Sequence, residues 1–411
     1  MNETADAGGV PRGPLLFILL TVLINMVGFG LIIPVLPQLV AELGHMDTSE
    51  AAGIGGLLVM TYALMQFLFS PILGSLSDAF GRRLVLLLSL AGFAISMLVV
   101  GIAEQLWLVF VARALGGATA GGIAAINAYI ADIAPPTKRA QTFGLVGVTF
   151  GIGFVLGPAL GGIVGALSPR APFFAAAALA VIDIAIGFFL LPESLPRARR
   201  RPFSWRRANV LGSLLMLRNL EGSLRRFASI YFIWHMSVQV LYSIWSYIAA
   251  YRYHWEAFSI GLSIAYIGVM IALTNGLLVR HSVRWFGEWR TSIIGACGGI
   301  AANCMFFFAD TPSLVYVGLT INAIGGLTIP ALQAMMTSRT APDRQGELQG
   351  MLATLQSLTI IIGPPAFAWL FTRFSGKGAI AELPGMPFAL AALLALATAW
   401  MLWRVPHMRR V

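Results

Sequence analysis

The segment Gly74-Ser-Leu-Ser-Asp78-Ala-Phe-Gly81-Arg82-Arg83 separates two almost unbroken apolar runs, 51–73 and 84–103. Each run reaches the roughly 20 residues that an α-helix needs to cross the hydrocarbon core of a bilayer. Between them the glycines permit a tight turn, and the paired arginines hold that turn in water. Asp78 is placed to meet a helix N-terminus or a neighbouring Arg, a latch that breaks when the helices around it separate. The unit from which the fold is read is therefore a helical hairpin across a membrane.

Working outward, comparable runs occur at 14–37, 107–131, 141–166 and 172–191, then at 227–250, 257–279, 291–309, 313–337, 347–371 and 386–404. With the first two this predicts twelve spanning helices, an all-α membrane protein. Composition agrees: 58% of residues are hydrophobic and 11% charged, too little polar surface to disperse a soluble chain of 411 residues. The 44 glycines suit close helix packing and the 21 prolines are tolerated as bends in lipid. Met1–Pro14 lacks a basic segment followed by a small-residue cleavage site, so the first run is expected to remain as a helix.

An even number of spans places both termini on one side. Of the 27 lysines and arginines, all but Arg113, Arg170, Arg252, Arg373 and Lys377 then fall in the loops and tails of that side. The positive-inside rule makes it the cytoplasmic side. The net charge of +10 is spread over short loops, with no basic stripe of the kind that reads nucleic acid. Cys297 and Cys304 lie on one face of one run and cannot bridge each other. No metal-ligand spacing and no phosphate-cradling loop ending in Lys-Ser/Thr occurs, so neither cofactor nor ATP-driven engine is expected.

Six runs lie on either side of the basic stretch 192–226. This predicts an N-terminal bundle over 1–191, a cytoplasmic linker over 192–226 that meets anionic headgroups, and a C-terminal bundle over 227–411. The loop after the eighth run, Gly276-Leu-Leu-Val-Arg280 through Gly287-Glu-Trp-Arg290, repeats the glycines and basic charge of Gly74–Arg83 but loses the Asp. Two repeated halves with a site between them near the midplane match the logic of secondary transporters.

The pattern Gly-X-Leu-X-Asp-X-X-Gly-Arg-Arg at 74–83 resembles the signature of the major facilitator superfamily. Arg113-Ala-Leu-Gly116-Gly117 is similar to the buried-Arg motif of its proton-coupled members. Gly151-Ile-Gly153-Phe-Val-Leu-Gly157-Pro158-Ala-Leu-Gly161-Gly162 resembles the helix-5 motif of its exporters, and these small residues are expected to let helix 5 slide on helix 8. Gly28–Pro37, Tyr62–Gln66, Leu86–Leu90, Pro330–Gln333 and Gln345–Gly350 with Gly363-Pro364 extend the resemblance through nearly the whole chain, to the tetracycline-efflux branch of the twelve-helix drug:proton antiporters. The resemblance implies a major facilitator fold in a bacterial inner membrane, a small-molecule substrate, and protons as the coupling ion. A monomer surrounded by lipid is expected.

By the register of that resemblance, the branch's intramembrane acids fall on Asn25, Ser96 and Gly299. An amide can hydrogen-bond a substrate but cannot carry a proton near neutral pH. Asp183, mid-span, would cost about 2.5–3.5 kcal/mol to insert as a carboxylate, which makes it a proton-coupling candidate; a structural hydrogen bond is the alternative. His235 is a second candidate, because imidazole titrates in the physiological range; a hydrogen-bonded wall residue is the alternative. Arg113, about 9 Å from the outer surface by helical rise, must pair, tune a proton site or attract an anionic group. Asn25, Gln66, Arg113, His235, Gln239, Tyr242, Trp245, Asn322 and Gln333 form the expected cavity set, the amides because unpaired polar groups in lipid are expensive. The expectation is proton-coupled export of an amphiphilic, drug-like compound by alternating access. An uncoupled facilitator or lipid flippase, and a non-transporting receptor, are the alternatives.

Overall fold

The computed structural model describes residues 10–135, 137–205, 222–341, 344–376 and 378–404. Residues 206–221 of the expected linker, Lys377, Arg409 and Arg410 lie outside them.

Twelve spans run through the described residues. Span 1 comprises Arg12–Ile32, continued after Pro34 by Leu36–Gly44, and spans 2 and 3 are Thr48–Phe80 and Arg82–Ile102. Span 4 is broken into Leu106–Ala118 and Gly122–Ile133, and spans 5 and 6 are Arg139–Gly165 and Ala171–Leu190. Span 7 is Gly222–Tyr253 and span 8 begins as Ala257–Leu273, passing through a π-helical turn at Thr274–Leu278. The following helix, Val279–Phe308, contains Gly287 at φ 76°. A hydrogen bond of 2.9 Å joins Ser282 Oγ to Thr291 Oγ1 across that glycine. Nine residues of straight helix would separate the two by about 13 Å, so the chain reverses at Gly287, closing span 8 and opening span 9. Span 10 is Pro312–Gly325 with Thr328–Thr337, span 11 Gln345–Arg373 and span 12 Met386–Trp403.

The boundaries follow from local chemistry. Asp47 caps span 2 by accepting from the Glu50 amide at 2.9 Å. Pro172, Pro312 and Pro387 stand in first turns, where a missing N–H is harmless. Gly81 turns from span 2 into span 3 at φ 110°, a conformation closed to side chains with a Cβ. Gly287 is its counterpart in the second half. The repeated glycines of the sequence are thus repeated backbone turns.

Spans 1–6 and 7–12 make two six-helix bundles, joined chiefly where span 2 packs on span 11 and span 5 on span 8. The union is confined to one end, the end opposite the Gly74–Arg83 turn. There one hydrophobic core runs through both bundles, from Leu31 and Leu58 to Ile244, Phe306 and Phe371. Ser49 Oγ donates to Ser375 O, and Thr372 Oγ1 donates to Ser49 O, each at 2.9 Å. A Cβ on Gly56 would stand 2.7 Å from that of Ala368. At the end that carries the arginine-rich turns, called here the basic end, the core divides. Phe17, Val85 and Tyr129 pack within the first bundle, and Phe227, Met335 and Leu402 within the second. Gly144, Gly147, Gly151, Gly346 and Gly350, on spans 5 and 11, face nothing within 4 Å. The bundles are closed at one end and parted at the basic end.

Candidate functional site

Two pockets flank the plane between the bundles. The first, about 100 Å³, is walled by Thr21, Asn25, Tyr62, Gln66, Ser89, Thr119 and Asn127 among apolar residues of spans 1–5. The second, about 240 Å³, is lined by Trp234, Tyr242, Trp245, Asn275, Asn303 and Asn322 of spans 7–10, with Ile33 and Phe154 reaching across from the first bundle. Phe154 meets the Tyr242 ring edge-on, with centroids 6.2 Å apart. Neither pocket wall carries an acid or a base. The site is a pair of amide-studded aromatic hollows suited to an amphiphilic molecule.

The expected cavity set divides on this geometry. Asn25 and Gln66 stand in the first wall, and Tyr242, Trp245 and Asn322 in the second. Gln239, Arg113, His235 and Gln333 stand in neither. Gln239 turns into its own bundle, with Nε2 3.4 Å from Thr359 Oγ1 and its stem against Gly363. His235 lies on the Tyr231 ring at 4.4 Å, and its Nε2 is buried without a partner among the described residues. Arg113 is 5% exposed, and its guanidinium stacks 5.3 Å from the centre of the Tyr62 ring. No ion pair among the described residues reaches it, and its Nε has no partner.

The three positions where the resemblance places acids are each accommodated as neutral. Asn25 Nδ2 donates to Thr21 O at 2.9 Å, and Ser96 Oγ to Ala112 O at 2.7 Å. At Gly299 a Cβ would come 2.6 Å from the Trp234 indole, so that ring occupies the space of a side chain. Asp183 lies between spans 1 and 6, wholly buried. Thr21 Oγ1 donates to its Oδ1 at 3.0 Å, and Oδ2 has no partner among the described residues.

The small residues of span 5 divide between two neighbours, span 1 as well as the expected span 8. Residues 153, 157 and 161 recur every four positions and so share one helix face, and that face meets span 1. Gly153 abuts Met26, a Cβ on Gly157 would stand 2.8 Å from the Gly30 Cα, and Gly161 seats on Leu31. The other side of the helix meets span 8, Pro158 at Gly261, Gly162 and Gly165 at Ala257, and Phe154 and Val155 at Gly268.

The turn at 74–83 is an ionic cluster internal to the first bundle. Arg82 Nη1 meets Asp78 Oδ1 at 2.5 Å and Arg82 Nε meets Asp132 Oδ2 at 3.3 Å. Glu193, beyond span 6, accepts from the Arg82 amide at 2.9 Å and the Arg83 amide at 3.3 Å. It thereby caps the start of span 3, where the helix dipole favours a negative charge. The Arg201 amide donates to Asp78 O at 3.1 Å. The first part of the basic stretch is thus folded onto the turn.

Sequence reasoning missed Thr21, Tyr62, Asn127, Asn275 and Asn303. Asn127, Asn275 and Asn303 carried a usable signal, since every amide inside an apolar run needs a partner; Asn303 Nδ2 is satisfied by Gly299 O at 2.8 Å.

Comparison with known proteins agrees with this architecture. The sequence profile described as Major Facilitator Superfamily matches residues 18–315 and again 227–410. The tetracycline resistance protein, class C, of Escherichia coli is 39% identical over 85% of this chain and 87% of its own. The class G protein of Vibrio anguillarum is 34% identical over 89% and 92%. The crystal structure of the human organic anion transporter MFSD10 (TETRAN) superposes with a TM-score of 0.69 at 26% identity, covering 95% of this chain and 99% of that one. With twelve spans in two bundles and a pocket on each side of the plane that parts them, the chain is an integral inner-membrane transport protein and not an enzyme, and it belongs to the major facilitator superfamily.

Proposed function

We propose that this chain exports an amphiphilic, tetracycline-type compound across a bacterial inner membrane in exchange for protons, by alternating access, as a monomer with both termini in the cytoplasm. The observation that carries the reading is the parting of the bundles at the basic end. The arginine bias supports a cytoplasmic position for that end, and on that reading the pockets open toward the compartment from which an exporter loads. The names of the relatives supply the substrate class. We read 1–191 and 227–411 as the moving bodies and 192–226 as their tether. The Asp78–Arg82–Asp132 cluster is then the latch of the first body. Asn25, Gln66, Tyr242, Trp245 and Asn322, joined by Tyr62, Asn127 and Asn303, are the substrate contacts. Asp183 is the proton carrier, and His235 the second candidate. Protonation must favour one conformation over the other for any coupling to exist.

Uncoupled movement, as a facilitator or lipid flippase, is favoured by one specific observation: Asn25, Ser96 and Gly299 are neutral and structurally satisfied. Purified protein in liposomes carrying an internal pH dye separates the two readings. Tetracycline and a panel of amphiphiles are added to wild type, Asp183→Asn and His235→Gln. Substrate-dependent proton flux that disappears in one variant is the expected result. Substrate movement without pH change in all three would leave the uncoupled reading.

A further inference from the structure

Asp183 is the sole buried carboxylate among the described residues, and it borders neither pocket directly. One turn back on its helix, Ala180 is wholly buried, and one turn on, Gly187 is covered by Phe17 and Leu87. Spans 1, 3 and 5 pack against span 6, and of their charged residues Arg12, Arg82, Arg83 and Arg139 stand at the basic end and Glu42 at the closed end. The nearest such contact, Arg83 to Phe188 O, is five residues along span 6 from Asp183, about 7 Å by helical rise. Arg170 lies beyond the other end of span 6 and bonds to Gly101 O and Ala103 O. Among the described contacts, one polar group connects the carboxylate to the first pocket. Thr21 forms part of the pocket wall while its hydroxyl donates to Asp183 Oδ1. The Thr21 backbone is gripped from the pocket side by Asn25 Nδ2.

We propose that Thr21 is the proton port of Asp183, a hydroxyl that passes protons between pocket water and a carboxylate otherwise sealed in the bundle. A hydroxyl has one donor and two acceptor lone pairs, so it can give to Asp183 and receive from water at once. In uptake, a pocket hydronium transfers a proton to Thr21 Oγ1 as the hydroxyl's own proton moves to Asp183 Oδ1. One O–H bond breaks and one forms on Thr21, which ends unchanged. The carboxylate becomes a carboxylic acid, and neutral water remains in the pocket. Release is the reverse. Ligand in the first pocket, displacing that water, would close the port, so loading and proton exchange compete for one space. This inference rests on the proton-exchange reading above.

The test uses full-length protein in lipid nanodiscs, a rapid pH jump, and the carboxyl C=O stretch followed by time-resolved infrared. Asp183→Asn identifies the band, Thr21→Val removes the hydroxyl at near-constant shape, and Thr21→Ser restores it. The expected result is a band absent in Asp183→Asn and slowed about tenfold or more in Thr21→Val, with Thr21→Ser within about twofold of wild type. A wild-type rate in Thr21→Val overturns the port and leaves antiport to be judged on wild-type dye flux alone. A wild type with no Asp183-dependent band overturns the port as well. Antiport then survives only if substrate-driven proton flux persists in Asp183→Asn.

Discussion

The Tyr247 hydroxyl of span 7 rests in the notch that Gly55 leaves on span 2. A Cβ at Gly55 would stand 2.5 Å from Tyr247 Cζ and nearer still to the hydroxyl. Tyr247 is 3% exposed, and its hydroxyl has no hydrogen-bond partner among the described residues, so the contact is one of shape across the two bundles at their closed end. Gly55→Ala is expected to part that end. A reporter Cys at Gly53, which faces Thr372 of span 11, should react with a membrane-impermeant maleimide about tenfold faster. Tyr247→Ala added to Gly55→Ala should restore protection, because the two changes share one contact. Equal labelling rates in all three would show that the notch does not hold the closure.

The turn between spans 2 and 3 has two separable supports. Gly81→Ala places a Cβ in a conformation that costs about 1–3 kcal/mol, against the Glu193 carboxylate. Glu193→Ala removes a cap worth about 1 kcal/mol. Both should lower the midpoint of thermal unfolding in detergent, Gly81→Ala by more. The same substitution at Gly287, where a Cβ meets nothing within 4 Å, should fall between them.

Restoring an acid at Gly299 is expected to fail while Trp234 is present. Gly299→Asp should reduce the yield of monodisperse protein, and Trp234→Ala should recover it by vacating the space. Size-exclusion profiles of the single and double variants measure this. A well-folded Gly299→Asp alone would mean that the indole swings aside at little cost.

No ion pair among the described residues reaches Arg113, so its removal is expected to separate stability from transport. Replacing a buried charge with an apolar residue of similar length is often neutral or stabilising, and Arg113→Met should melt at or above the wild-type temperature. Transport of tetracycline should fall by about tenfold or more, because the guanidinium on Tyr62 sets the field at the end of the first pocket. A large loss of stability would instead mark Arg113 as a structural strut.

Spans were legible because lipid demands long apolar runs, and the turn at 74–83 was legible because its chemistry is local. The breaks after Pro34, at 119–121 and at 326–327 were not, since each lies within apolar sequence of unchanged hydropathy. Pocket membership was the least legible. Gln66 and Gln239 are the same residue type in similar runs, yet one meets the pocket and the other turns to Thr359 of span 11. That choice is made by partners more than a hundred residues away. The partner of Asp183 was hidden for the same reason, Thr21 being 162 residues from it.

Glu193 bonds to an amide 111 residues before it, and this sets an order of events during synthesis. When span 3 enters the membrane, the group that caps its first turn has not been translated. The first amides of span 3 remain open until span 6 has been threaded and Glu193 follows it out. The ionic cluster at the turn is therefore among the last features of the first bundle to form.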